Sequence, residues 1–411
     1  MGKASIVSIG NEVLSGQTVD TNAAYLSGKL LSIGIPVVST HTVGDDIDSI
    51  VRALNLASED ADLILATGGL GPTDDDLTRQ AFSKLLGVEL QLKNELLEKI
   101  QHFFERRNLR MPDKSRIQAY IPVGAKALAN DLGTAPGIMA DAKGKLLIAM
   151  PGVPAEMKQM FETSVLAELQ RFATDQALIV RKLKCFGAGE SHIAEVLGPL
   201  MQRNRNPLIN CTAEHGVITL HIIAKARQQS RALQMAERDE KLLRNLLGEL
   251  VYGQAEQTLA EVVGERLARQ RKTIAVAESC TGGLLAKLLT DISGASRYFT
   301  HGWVTYSNSA KSKLGVPADL IDKHGAVSKQ VAEAMAQGAR ERAGTDFALA
   351  ITGIAGPTGG SEQKPVGLVY ITVDSDKSCE TKRFIFSHNR WSVRVRAALT
   401  ALNMLRLKLG V

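Results

Sequence analysis

Three times in this chain an apolar run of strand length ends in a glycine-rich turn. Leu63 to Thr67 leads into Gly68-Gly69-Leu70-Gly71-Pro72-Thr73-Asp74-Asp75-Asp76, and Thr273 to Ala277 leads into Glu278-Ser279-Cys280-Thr281-Gly282-Gly283. Phe347 to Ile351 leads into Thr352-Gly353-Ile354-Ala355-Gly356-Pro357-Thr358-Gly359-Gly360. After the second turn, Leu284 to Leu289 has helical spacing, so the order is strand, tight turn, helix start. Such turns place ligand-binding loops at the carboxyl ends of strands in an α/β sheet.

The first part of the chain repeats this alternation. Ser5 to Ile9 reads as a strand, Asn22 to Ile33 as a helix, Ile35 to Val43 as extended, and Ile47 to Ala57 as a helix. Lys145 to Met150 reads as a late strand, and a helix from Ala155 to about Phe172 closes the block. A largely parallel sheet covered by helices is expected. From about Gln176 the pattern changes: Ile179 to Phe186 and Val217 to Ala224 read as strands around a short helix near Ser191 to Gly198. A long charged helix follows from Ser230 to Leu247. The fold class expected is α/β, with two α/β sandwich domains joined by a small α+β domain, bounded at 1–172, 173–253 and 254–411.

Composition excludes little. The 411 residues suit roughly two to four domains, and no apolar run approaches a membrane span. No export signal is evident at the N-terminus. The four cysteines (Cys185, Cys211, Cys280, Cys379) lack paired spacing, which suits a reducing cytoplasm and points to no zinc site. The net charge of +6 is spread through helical stretches, as compatible with small anionic ligands as with nucleic acid.

A hydroxyl on a glycine turn lies beside the free N–H groups of a helix N-terminus, which favour phosphates and oxyanions. Ser279 there is either a nucleophile or a simple helix cap. Downstream, Trp303-Val304-Thr305-Tyr306-Ser307-Asn308 reads as a strand entering a turn, with Lys311 at a helix start. Lys311 is the candidate base for Ser279, or else a solvated helix lysine. At a reference pKa of about 10.4, a lysine is neutral in only about one molecule in 2,500 at pH 7. An unmodified lysine would therefore add roughly 4–5 kcal/mol to the barrier, and burial must depress its pKa. Tyr306 either bridges Ser279 and Lys311, stacks on a substrate ring, or packs as an ordinary aromatic. His301 and His324 lie nearby in sequence but in no matching motif. Backbone amides at Thr281 to Gly283 or Gly353 to Gly356 are candidates for oxyanion and phosphate sites.

Taken together, ESCTGG, YSNxxK ending at Lys311, GAVS (Gly325 to Ser328), GIAGPTGG and KPVG (Lys364 to Gly367) resemble the nicotinamide-mononucleotide amidohydrolase domain of the CinA (competence-damage-inducible) family. The resemblance covers roughly Thr258 to Val411. It implies hydrolysis of the carboxamide of nicotinamide mononucleotide to nicotinate mononucleotide and ammonia, with no cofactor. Ser279, Lys311 and Tyr306 become the catalytic candidates. Thr281, Gly282, Gly283, Asn308, Gly353, Ala355, Gly356 and Arg390 become the substrate-binding ones. Family members commonly carry Gly-Asp-Arg where this chain has His388-Asn389-Arg390, so only the arginine is carried over.

Gly10 to Asn22, with Thr67 to Asp76, resembles the molybdopterin-binding-like domain of CinA proteins over about the first 170 residues. Gly68, Gly69, Gly71 and Thr73 become nucleotide-binding candidates. Asp20, Asp75 and Asp76 become ligands for a divalent metal, Mg²⁺, with Asp74 and Asp45 as companions. Thr73-x-x-Asp76 also reads as a capping box for a helix through Leu86. Some family domains of this type hydrolyse ADP-ribose with a metal. The middle block resembles the KH-like domain of CinA proteins. A KH clamp needs a GxxG loop, which Gly187-Ala188-Gly189-Glu190 does not supply. That block is accordingly read as structural or dimerising rather than nucleic-acid-binding. The leading expectation is a cytoplasmic, homodimeric hydrolase of pyridine-nucleotide salvage. A molybdopterin-handling transferase and a non-catalytic nucleotide sensor for competence or DNA damage are the alternatives.

Overall fold

The structure is a computed structural model that describes residues 2–169, 172 and 177–410. The chain divides into two compact units: residues 1–179 with 225–233, and residues 180–224 with 234–411.

The first unit is built on β1 (Ala4–Ile9), β2 (Val37–Val43), β3 (Leu63–Thr67), β4 (Leu90–Leu92), β5 (Tyr120–Pro122), β6 (Lys126–Leu128), β7 (Gly137–Ala142) and β8 (Lys145–Met150). Six of them form a sheet in the order β2-β1-β3-β8-β7-β6, while β4 and β5 pair separately. The first four are parallel, β7 adds antiparallel to β8, and β6 adds antiparallel to β7. The sheet is therefore largely parallel, as expected, with β7 alone reversed among its six strands. Its central strands β1 and β3 are buried throughout, because helices cover both faces. Side chains of β1 alternate between two cores, Val7 and Ile9 facing one, Ala4 and Ile6 the other. The closing helix begins at Pro154 and runs as far as Leu169 with a π turn at Phe161–Val165. The rest of its expected span lies partly outside the described residues.

The second unit carries β9 (Ala177–Cys185), β10 (Leu208–Glu214), β11 (Val217–Ala226) and β12 (Val251–Gln254) in a sheet of order β10-β11-β9-β12. It also holds a five-stranded sheet of β13 (Ile274–Glu278), β14 (Phe299–Val304), β15 (Phe347–Gly353), β16 (Leu368–Ser375) and β17 (Cys379–Ile385). The order is β14-β13-β15-β16-β17, with the first three parallel, β16 antiparallel to β15, and β17 antiparallel to β16.

On one face of that sheet Ile274, Val276, Leu349 and Ile351 pack against the helices Leu259–Gln270 and Arg390–Lys408. On the other, Ala277, Ala348 and Ala350 meet Val331, Met335 and Ala339 of the helix Lys329–Ala343. The small side chains let that helix lie close. The turns after β13, β14 and β15 thus share one edge of the sheet, together with the Lys364–Gly367 turn that enters β16.

Candidate functional site

Ser279 lies immediately past the carboxyl end of β13, where its N–H donates to the Ile351 carbonyl at 2.9 Å. The chain then reverses through Gly282 (φ +59°) and Gly283 (φ +92°), left-handed positions that glycine occupies without strain. Glu278, fully buried, fixes this reversal. One carboxylate oxygen accepts from the amides of Gly283 (3.1 Å) and Leu285 (3.0 Å), the other from Ala286 (2.8 Å). The first free donors of the helix Leu284–Thr290 are therefore occupied by the protein itself. Gly282 N–H likewise donates to the Ser279 carbonyl. The amides of Gly282 and Gly283 are not open to an oxyanion or phosphate, contrary to expectation. Among the described residues the amides of Thr281, Ala355 and Gly356 have no partner.

Lys311 sits on the helix Asn308–Leu314, which Ser307 caps by accepting from Ala310 N–H. Lys311 and Leu314, three residues apart, share the buried face of that helix. Its ammonium group is 2.9 Å from Ser279 Oγ and 2.8 Å from the Thr305 carbonyl. Only 1% of Lys311 is exposed. Burial lowers its pKa from the ordinary lysine range, and the Cys280 thiol beside it opposes this weakly. The same burial pushes Cys280 up to about 12, so that thiol is no rival nucleophile at neutral pH.

Tyr306 does not bridge Ser279 and Lys311. It is 58% exposed, and its hydroxyl accepts from Arg390 at 2.8 Å. Arg390 also donates to the Gly356 carbonyl at 2.8 Å, joining two loops of the sheet edge. Asn389, where the family aspartate is expected, caps the helix Arg390–Lys408 by accepting from Ser392 N–H at 2.9 Å. Asparagine and aspartate serve equally at such a cap. The arginine is thus oriented by Gly356 and Tyr306 rather than by residue 389. Asn308 is exposed at the helix start. Gly353 closes β15 where a Cβ would lie 2.7 Å from the Leu368 carbonyl. Ala355 is buried beside it. His301 stacks on Trp303 with centroids 5.3 Å apart, while His324 enters the described contacts through its carbonyl, which accepts from Lys364. Neither bonds Ser279 or Lys311.

Three residues at this edge have roles that the sequence reading did not assign. Glu278 is one. Arg394 donates to the Thr281 carbonyl at 2.7 Å and so pins the turn from the other side. Lys364 donates to the carbonyls of His324 and Val327, tying Gly325–Ser328 to the loop before β16.

In the first unit, a cavity of about 410 Å³ is lined by Gly68, Gly69, Gly71 and Thr73 together with Glu12, Asp45, Asp75 and Asp76. A Cβ on Gly68 would lie 2.0 Å from the Ile9 carbonyl, so only glycine fits. Asp76 accepts from the amides of Gly71 (2.7 Å) and Thr73 (2.9 Å) and from the Thr73 hydroxyl. It staples the loop and caps no helix: the helix Thr78–Leu86 starts without a side-chain cap. Asp20 caps the helix Thr21–Ser32 and accepts from Ser8, away from this lining. Asp74 pairs with Lys114.

The trio Asp20, Asp75 and Asp76 is therefore not gathered into a ligand set. Among the described residues no group of three or more acidic, histidine or cysteine side chains is arranged for a metal. Burial raises the Asp45 pKa, and Glu12, Asp75 and Asp76 add like-charge repulsion. Arg79, 1% exposed, donates to the carbonyls of Leu70 and Gly71 at 2.6 Å. Burial lowers it to about 10. Arg79, which the sequence reading does not single out, is the cationic floor of the loop.

The molecule is an α/β chain with a glycine-loop cavity in its first unit and a buried serine–lysine contact in its second. Three family descriptions match it: a probable molybdopterin binding domain over residues 5–171, the KH domain of damage-inducible protein CinA over 180–253, and the CinA C-terminal domain over 256–409. A putative competence-damage inducible protein of Caldicellulosiruptor bescii is 43% identical over 407 residues, 99% of each chain. A CinA-like protein of Dictyoglomus thermophilum is 41% identical over 405 residues, 98% of each. The CinA protein of unknown function from Thermoplasma acidophilum has a crystal structure that is 34% identical. It covers 42% of this chain and 98% of its own, at a TM-score of 0.38. The chain belongs to the CinA family. Among its described residues no helix is long and apolar enough to cross a membrane.

Proposed function

We propose that the second unit hydrolyses the carboxamide of nicotinamide mononucleotide. The observation that carries this reading is the 2.9 Å contact between Ser279 Oγ and a Lys311 amine from which water is excluded. With Lys311 neutral, the serine O–H donates to Nζ while Nζ donates to the Thr305 carbonyl. Ser279 attacks the carboxamide carbon and its proton passes to Lys311. The tetrahedral oxyanion falls to the unpaired amides of Thr281 and of Ala355 or Gly356. Collapse breaks the C–N bond, and the Lys311 proton leaves with ammonia. Water, deprotonated by the same amine, then cleaves the serine ester to give nicotinate mononucleotide and restore Ser279.

Arg390 keeps guanidinium donors beyond its two bonds and suits the substrate phosphate. Exposed Tyr306 beside it offers a ring face to the pyridine. No cofactor enters this reaction.

The first unit, in this reading, binds ADP-ribose and hydrolyses its pyrophosphate. The support is the Gly68–Gly71 loop held over the Arg79 cation. Its donor set fits Mg²⁺ only as a cation shared between one or two carboxylates and the ligand's own phosphates. Four unpaired cysteines suit a cytoplasmic setting, and a homodimer is the assembly proposed.

The test is ammonia release from nicotinamide mononucleotide, glutamine and nicotinamide in parallel. The mononucleotide alone should be turned over well. Equal release from glutamine refutes the substrate assignment, and no release with tight mononucleotide binding supports the sensor reading instead.

A further inference from the structure

The second unit holds a cavity of about 700 Å³ that is lined by none of the residues placed at the Ser279 site. Its walls include Phe186, Phe384, Phe386 and Met404, with Arg396 and Asn403 reaching in from the helix Arg390–Lys408. Phe384 and Phe386 are two residues apart, so both rings project to one face. They lie stacked, with centroids 5.5 Å apart and planes within 7°. The Arg396 guanidinium stands 5.2 Å from the Phe386 ring centre.

The charges here are almost all accounted for. Arg406 donates to Asn403 Oδ1 at 2.9 Å and to the Glu249 carbonyl. The Glu249 charge acts on that same Arg406. Lys382 pairs with Glu380 at 3.0 Å, and Glu190 accepts from the Cys211 thiol. Arg396 is the exception. Among the described residues it has neither hydrogen bond nor ion pair, and its contact is the Phe386 ring. Asn403, with Oδ1 committed, presents its Nδ2 donor beside Gly187, whose missing Cβ would lie 3.7 Å away.

We propose that this cavity binds a small planar aromatic anion. The ring lies against Phe384 and Phe386, and the anionic group takes the Arg396 guanidinium with Asn403 Nδ2 as a second donor. The volume falls within the range of about 300–1,000 Å³ usual for small-ligand pockets. Aromatic stacking and a guanidinium already held over a ring select flat ligands. A forked donor selects carboxylate or phosphate over neutral groups.

The probe is 2-naphthoate, titrated calorimetrically into the full chain beside neutral 2-naphthamide. Saturable naphthoate binding is expected, and a charge-assisted bond of about 1.5–3 kcal/mol makes it roughly 10- to 150-fold tighter than the amide. Arg396→Gln should weaken naphthoate by the same factor, and Phe384→Ala should weaken both ligands. Arg390→Gln at the Ser279 site should leave naphthoate affinity unchanged. Because Arg396 makes no hydrogen bond, its replacement leaves no group unpaired, and the naphthamide comparison needs no variant. Absence of saturable binding, equal affinity for the two probes, or naphthoate lost in Arg390→Gln but kept in Arg396→Gln overturns the proposal.

Discussion

Replacing Glu278 by glutamine changes one atom of a buried side chain and tests what holds the nucleophile. The carboxylate accepts three backbone N–H bonds on two oxygens, at 2.8 to 3.1 Å. A glutamine oxygen can keep the Gly283 and Leu285 pair, but its amino group then faces the Ala286 N–H, donor against donor. One charge-assisted bond is lost, at about 1.5–3 kcal/mol, and a buried donor is left unmet, at about 1–3 kcal/mol. The two costs overlap, so roughly 2–4 kcal/mol is expected in urea unfolding. Relief comes by rotating the turn, which carries Ser279 with it. A displacement near 1 Å at a reacting atom costs about a hundredfold. Turnover of nicotinamide mononucleotide should fall by about that factor, with its KM little changed because both Glu278 oxygens are taken by backbone amides. Wild-type stability together with wild-type turnover in Glu278→Gln would refute the claim that this carboxylate builds the site.

Lys311→Met should stop turnover and also stabilise the fold. Burial depresses the lysine pKa, so between that value and the ordinary 10.5 the unfolded chain binds more protons, and stability rises with pH across that window. The methionine variant should gain most at neutral pH and lose its advantage near pH 10.5. Each pKa unit of depression is worth about 1.4 kcal/mol, or about 3–6 °C in Tm, for a domain of this size. A pH-independent difference in thermal melts would contradict it. Asn389→Asp should change stability by less than about 0.5 kcal/mol and leave KM within twofold, since both residues cap the helix. A large gain in turnover would show that the family aspartate does more than cap. Arg79→Met should loosen the Gly68–Gly71 loop and weaken ADP-ribose binding at least tenfold by calorimetry. Unchanged affinity would remove the cationic floor from the account.

Ser279 was legible because it follows a strand whose apolar run and glycine turn are local signals. Lys311 was legible from the turn before it, although β14 spans Phe299–Val304 and not a strand starting at Trp303 as expected, because its threonine, histidine and glycine break the apolar run. Their meeting needs only that β13 and β14 be parallel neighbours, which the alternation of strands and helices already implies. Glu278 was not legible in that role. A glutamate after an apolar run looks like the solvent end of a strand, and only folding brings three amides onto it. Arg79 and Arg394 fail for the same reason, because helix arginines read as surface until a carbonyl cluster lies over them. Thr73 and Asp76 have capping-box spacing, yet the loop's own amides compete more effectively for that carboxylate. β4 to β7 and β12 were missed because runs of three to six residues carry too little periodicity, and β10 because its last residues are polar and exposed. The reversed strand β7 is thus the one departure from an otherwise codirectional first sheet.

Ammonia release by Ser279→Ala, with the fold confirmed by circular dichroism, bears most directly on the serine–lysine pair. The account predicts a fall of at least about a thousandfold, since removing a covalent nucleophile leaves only binding and the oxyanion donors. Turnover within tenfold of the unaltered protein would mean that water attacks the carboxamide directly and that Lys311 serves some other purpose.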